Sequence, residues 1–186
     1  MGGGDKCLRS LGGRPILAHI IDRAAPQVSR LMINANGDPA RFAPFDIPVA
    51  ADTVEGFAGP LAGVLTGMEW AAIHAPECAW IATFATDAPF FPDDLVERLT
   101  VTLLADNGDM ACAKSGDRRH PVFGLWPVAL AAELRAALVE GGIRKVDDWT
   151  GGYNLSVGAF AVDAIDPFFN VNRPEDLAAA ESFLAD

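Results

Sequence analysis

Trp80-Ile81-Ala82-Thr83-Phe84-Ala85-Thr86 is a short apolar run closed by Asp87 and Ala88-Pro89. Its length and its boundary residues make it a strand, with Asp87 at the strand's carboxyl end. Asp93-Asp94 then open a helix to about Ala105, with Leu95, Leu99 and Leu103 at helical spacing. Working outward, the same alternation continues in both directions. Upstream, Pro15 stands where a first-turn proline is favoured, and Ile16, Leu17, Ile20, Ile21 and Ala24 follow at helical spacing until Pro26 stops the run. Arg30-Leu31-Met32-Ile33-Asn34 reads as a buried strand. Ile47-Pro48-Val49-Ala50-Ala51 reads as a short one ending at Asp52, and Pro60 opens a second helix with Leu61, Val64, Leu65 and Met68 on one face.

Downstream, Met110-Ala111-Cys112-Ala113 and Val122-Phe123-Gly124-Leu125-Trp126 read as strands. Residues 128–140 read as an Ala/Leu-rich helix, and 143–149 as a further one. Asn172-Arg173-Pro174-Glu175 has the form of a helix start, an Asn cap with a first-turn Pro and Glu three residues on, and that helix runs to about Leu184. Alternating strands and helices predict an α/β fold with a mostly parallel sheet in one domain over 1–186. Ligands of such sheets bind beyond the carboxyl ends of the strands. Asn34, Asp52 and Asp87 all fall at such ends, so they are expected at one edge.

Composition narrows the function classes. The net charge is −11, which argues against broad attraction to nucleic acid. An acidic chain can still bind a polyanionic nucleotide through a divalent cation, backbone N–H groups and a few local cations. The apolar stretches are broken well before membrane-spanning length, and the polar start Met1–Lys6 has no signal-peptide core. The three cysteines are scattered without metal-ligand spacing, which fits a reducing cytoplasm.

Five constellations can carry chemistry, and each has a plainer reading. Gly2-Gly3-Gly4-Asp5-Lys6 can wrap a phosphate with backbone N–H groups and a lysine, or be a glycine-rich terminus. Asp52 and Asp87 can hold Mg²⁺ together with substrate phosphates, or cap the segments that follow them. Gly59-Pro60-Leu61-Ala62-Gly63 can offer the free N–H groups of a helix start to an anion or a base edge, or be an ordinary loop-to-helix junction. Arg118-Arg119-His120-Pro121 can clamp a phosphate, or be a solvated turn. Asn170 and Asn172 point the same way if their segment is extended; capping alone accounts for Asn172 but leaves Asn170 unexplained.

Taken together, MGGGDKCL at 1–8, INAN at 33–36, ADT at 51–53, GPLAGV at 59–64, TDAPF at 86–90, RRHPVFGLW at 118–126 and FFNVNRPEDL at 168–177 resemble the molybdenum cofactor guanylyltransferase family, in its order and over nearly the whole chain. The resemblance implies a Rossmann-like, three-layer α/β/α nucleotidyltransferase fold. It also implies transfer of GMP from GTP to the molybdopterin form of the molybdenum cofactor, with Mg²⁺ as cofactor. Lys6 matches the phosphate-loop lysine. With Gly3, Gly4 and Gly63, the residues Asn34 and Asp52 match nucleotide-binding positions. Asp87 matches the Mg²⁺-binding aspartate, with Asp52 as its helper. Asn170 and Asn172, and more indirectly Arg118, Arg119 and His120, fall on the pterin side of the cleft. Molybdenum cofactor biosynthesis and acceptor enzymes are the partners the resemblance implies.

Family members begin with an apolar strand and a loop of the form LAGG-x-x-x-R-M-G-G before Asp-Lys, and Met1 here coincides with the methionine inside that loop. The expectation is a chain whose start is an internal methionine of a longer product, or a truncated one. Loss of that strand would expose apolar surface and leave backbone groups unpaired. The alternatives are the cytidylyltransferase for the same cofactor, a sugar-phosphate nucleotidyltransferase, and a non-catalytic pterin-binding module.

Overall fold

The structure is a computed structural model that describes residues 5–56 and 59–184. After a single 3-10 turn at Lys6–Leu8, strands β1 (Ser10–Leu11) and β2 (Arg14–Pro15) form a small hairpin. Gly12 and Gly13 make its two-residue turn with φ of +58° and +81°, a conformation that glycine adopts without a Cβ penalty. Helix α1 (Ile16–Ala24) follows and buries Ile16, Leu17, Ile20 and Ala24 of the predicted stripe, with Ile21 half-buried. Pro15 precedes the helix as its N-cap residue rather than standing in its first turn.

Strands β3 (Ile33–Asn34) and β4 (Val49–Ala50) pair in parallel and are shorter than the apolar runs that contain them. Helix α2 (Pro60–His74) buries Leu61, Val64, Leu65 and Met68 as its spacing predicts. Then come β5 (Trp80–Thr83), α3 (Leu95–Asp106), β6 (Met110–Ser115), β7 (Arg118–Pro127), α4 (Ala131–Val139), α5 (Val146–Thr150), β8 (Leu155–Phe160) and α6 (Pro174–Leu184). No helix among the described residues is long and apolar enough to cross a membrane.

The larger sheet has the order β5-β7-β6-β8. Strand β7 is antiparallel to both of its neighbours, and β6 and β8 are parallel. Thus β5, β6 and β8 run one way and β7 runs against them. The α/β fold is as expected, and this sheet is mixed: three of its four strands share one direction, while two of its three ladders are antiparallel. The two ladders that β7 makes are antiparallel because β6 and β7 form a hairpin across Gly116-Asp117, with Gly116 at φ +51°.

Pleating sends alternate residues of this sheet to opposite faces. Ala111, Ala113, Phe123 and Leu125 join α1, α3 and α6 in one core, with Ile16, Ile20, Leu95, Leu99 and Ala180. Met110 and Trp126 join α2, α4 and α5 in the other, with Leu65, Met68, Leu134 and Trp149. The result is the three-layer α/β/α arrangement that the resemblance implies. The β3/β4 ribbon stays separate from the larger sheet. A largely apolar cleft of about 360 Å³ lies between them, lined among others by Ile20, Ile33, Val64, Ile81 and Phe84.

Candidate active site

A second cleft, of about 590 Å³, gathers residues far apart in sequence: Lys6, Asp87, Arg118, Arg119, His120 and Asn170. Topology accounts for the meeting. Asp87 lies just past the carboxyl end of β5, and β7 pairs antiparallel to β5 with Thr83 opposite Gly124. The first residues of β7 therefore lie beside the loop that carries Asp87. The register between β6 and β7 shifts after Cys112, so that Ala113 faces His120 while Cys112 faces Gly124. Pro121, which has no N–H to give a ladder, sits in this bulge. The Thr83 hydroxyl donates to the Val122 carbonyl at 2.6 Å in the same stretch. Arg118-Arg119-His120 is thus the start of a strand rather than a solvated turn, with both arginines exposed and His120 only 8% exposed.

Lys6 Nζ donates to Asn172 Oδ1 at 2.8 Å. The Asn172 side chain also faces the Asp87 carboxyl and favours its ionised form. Burial pushes the Asp87 carboxyl above its ordinary value, and its own backbone N–H, Lys6 and Asn172 pull it only partly back. The backbone stitches this corner together: Val171 N–H donates to the Asp87 carbonyl at 2.7 Å. The sequence predicts Asn172 as the cap of α6. Instead, Asp176 reaches back and accepts from the N–H groups of Asn172 and Arg173, at 3.0 and 2.8 Å. That carboxylate holds the two residues that lead into α6, and the Asn172 side chain bonds Lys6.

Asn34, Asp52 and Gly63 form an adjoining cluster. Asn34 Nδ2 donates to Asp52 Oδ1 at 2.9 Å, and Asn36 Nδ2 to Asp52 Oδ2 at 2.8 Å. Asn36 Oδ1 in turn accepts the Asp52 N–H at 2.8 Å. Gly63 is required for this fit, since a Cβ there would meet Asn34 Oδ1 at 2.7 Å. Arg41 ties the two clusters together: it is ion-paired with Asp5, beside Lys6, and donates to the Asn36 carbonyl. Asp52 itself does not line the cleft that holds Asp87. Gly3 and Gly4 lie outside the described residues.

Reading the residues alone does not single out Asn36, Arg41, Ser115 or Asp166. For Asn36 a signal exists, the two-residue spacing from Asn34 in INAN. For the others there is none, since an arginine in a loop or a serine at a strand end looks ordinary until its partner is known.

Comparison with known proteins follows the same lines. The family model of the MobA-like NTP transferase domain matches residues 1–153. The chain is 53% identical over 181 residues to the molybdenum cofactor guanylyltransferase of Rhodopseudomonas palustris strain BisB5, covering 97% of this chain and 86% of that protein. The Bradyrhizobium sp. strain ORS 278 protein of the same name is 52% identical, with 100% and 87% covered. Among solved structures, molybdopterin-guanine dinucleotide biosynthesis protein A from Archaeoglobus fulgidus superposes with a TM-score of 0.74 at 20% identity, over 98% of this chain and 92% of that one. The 2-C-methyl-D-erythritol 4-phosphate cytidylyltransferase of Thermus thermophilus gives 0.69 at 19% identity, over 99% and 95%. At such identities the two structures speak to the fold, and both share it. The matched family model and the half-identical relatives together make this chain a member of the MobA-like NTP transferase family, a nucleotidyltransferase of the molybdenum cofactor guanylyltransferase group.

Proposed function

We propose that this enzyme transfers GMP from GTP to the molybdopterin form of the molybdenum cofactor, releasing pyrophosphate. The supporting observation is the corner where Lys6 and Asp87 meet through Asn172, inside a cleft that Arg118 and Arg119 also line. One oxygen of the molybdopterin phosphate forms a bond to the α-phosphorus of GTP as the α–β bridging bond breaks. That phosphate is already an anionic nucleophile, so no strong base is needed. What the protein must supply is alignment of two polyanions and neutralisation of the charge between them.

In this reading Lys6 holds the β- and γ-phosphates that leave. Asn34, Asp52 and Gly63 form the nucleotide side, with Asn36 fixing Asp52. Arg119, His120 and Asn170 receive the pterin side, and Asn172 sets the spacing of Lys6 and Asp87. The donors fit Mg²⁺, which takes oxygen ligands and commonly needs only one or two carboxylates alongside substrate phosphates. Asp87 provides one such carboxylate in the cleft, and Asp52, which lies outside that cleft, is the second carboxylate to test. Among the described residues no group of three or more His, Cys, Asp or Glu could hold a metal, so its other ligands would come from phosphates and water. Bound there, Mg²⁺ would neutralise phosphate charge as it develops. The free thiols of Cys7, Cys78 and Cys112 fit assignment of the reaction to the cytoplasm.

The test is Mg²⁺-dependent pyrophosphate release with molybdopterin and either labelled GTP or labelled CTP. Incorporation of GMP supports the reading. Preference for CTP would make the enzyme a cytidylyltransferase, and pterin binding with no pyrophosphate release would make it a binding module.

A further inference from the structure

Ser115 and His120, both buried, join the half-buried Asp166 in a polar chain that the transfer reaction does not by itself call for. Ser115 Oγ lies 2.6 Å from His120 Nε2 and 2.9 Å from each carboxylate oxygen of Asp166. Ser115 is 2% exposed, and the His120 ring packs tilted against Phe168 with centroids 4.5 Å apart. A serine hydroxyl has a single proton, and an ionised carboxylate only accepts. The serine proton therefore goes to Asp166, and Ser115 Oγ must accept from His120. That makes Nε2 the protonated ring nitrogen and Nδ1 a lone-pair acceptor when the ring is neutral. Burial favours the neutral ring; Asp166 opposes this and Arg118 reinforces it, with a net lowering of the pKa.

Asp166 is itself held. Its Oδ1 accepts the Phe168 N–H at 2.9 Å, and its carbonyl accepts the Phe169 N–H at 2.9 Å. The stretch 166–172 thus orients His120 through Asp166 and Phe168, and orients Lys6 and Asp87 through Val171 and Asn172.

We propose that Ser115 and Asp166 are positioning residues: they hold His120 as the Nε2–H tautomer so that Nδ1 accepts an N–H or O–H from the acceptor substrate. Arg118 and Arg119 serve the anionic part of that substrate, and His120 reads a donor group on it. This rests on the assigned transfer reaction for its substrate but not for its tautomer. A merely structural Ser–Asp bond would stabilise the loop without setting which substrate the cleft prefers.

The ring nitrogens are read by ¹⁵N NMR of histidine-labelled protein. His120→Gln assigns the His120 signals among the three histidines. The wild type should show Nε2–H. Ser115→Ala should lose that preference and raise KM for molybdopterin about tenfold, the worth of one hydrogen bond, with KM for GTP nearly unchanged. If Ser115→Ala does not fold, Asp166→Asn keeps the side-chain shape and the oxygen for Phe168, and should shift the same two readouts. An Nδ1–H ring in the wild type overturns the proposal. So does loss of the tautomer preference with KM for molybdopterin unmoved. A wild type with the Nε2–H ring but no GMP transfer would count against the transfer reading alone.

Discussion

Lys6 Nζ and Asn172 Oδ1 meet at 2.8 Å across 166 residues of sequence, and the same asparagine favours the ionised form of Asp87. One neutral side chain thus touches a cation and favours an anion, and both of these line the cleft. Asn172→Ala removes the bond to Lys6 and the influence on Asp87 together. Hydrogen bonds to charged groups are worth about 1.5–3 kcal/mol, so kcat/KM should fall about ten- to a hundredfold. Steady-state kinetics with both substrates checks this, and an unchanged kcat/KM would show that the asparagine does not position the pair.

Asp87→Asn is expected to abolish most Mg²⁺-dependent pyrophosphate release, by about a hundredfold or more. The fold should survive. Burial raises the Asp87 pKa above its unfolded value, so its contribution to stability is present below the unfolded pKa and is lost as pH rises through the folded one. At pH 7 the neutral amide should therefore be no less stable than the carboxylate, which thermal unfolding would show. Full turnover in the variant would refute the metal assignment.

Gly63→Ala separates stability from binding. Alanine gains about 1 kcal/mol over glycine inside a helix, while overpacking costs about 1–3 kcal/mol. The clash is with the end of a side chain, Asn34 Oδ1 at 2.7 Å, which can swing away. Stability should change by no more than about 1 kcal/mol. Asn34 would no longer hold Asp52, and KM for GTP should rise about tenfold, as expected for one lost hydrogen bond. An unaltered KM for GTP would remove Asn34 and Asp52 from the nucleotide side.

Arg135 clamps Glu69 through two bonds of 2.7 and 2.8 Å and also donates to Thr53 at 3.0 Å, joining α4 to α2 and to the loop after Asp52. Burial raises the Glu69 pKa, but the Arg135 bonds and charge, with a contribution from the Thr53 side chain, outweigh it, and the net shift is downward. A lowered pKa gives stability that is present above the unfolded value and lost as pH falls through the folded one. Arg135→Ala should cost about 1 kcal/mol at pH 7, and the difference should shrink as pH drops below about 4. Urea unfolding at the two pH values tests it, and a pH-independent difference would contradict the ion pair.

Much of this is readable along the chain because it is local. The stripes of α1, α2 and α3 follow from residue spacing, since each helix carries its own apolar face. Asn34, Asp52 and Asp87 fall at strand ends because Asn and Asp close apolar runs. Strand β8 escapes such a reading for a physical reason: its inward residues include Ser156 and Gly158, so apolar alternation is absent. Gly158 is needed there because α3 crosses so closely that a Cβ would meet Leu99 Cδ2 at 2.8 Å.

By itself the sequence determined the helices, the strand ends bearing polar residues, and the order of motifs that marks the family. Tertiary structure alone decided that Asn172 serves Lys6 rather than a helix start, that Arg41 links two clusters, and that Ser115 and Asp166 meet His120. Those facts are choices among hydrogen-bond partners. A polar side chain can satisfy itself with many neighbours, and only the closed fold determines which of them comes within bonding distance.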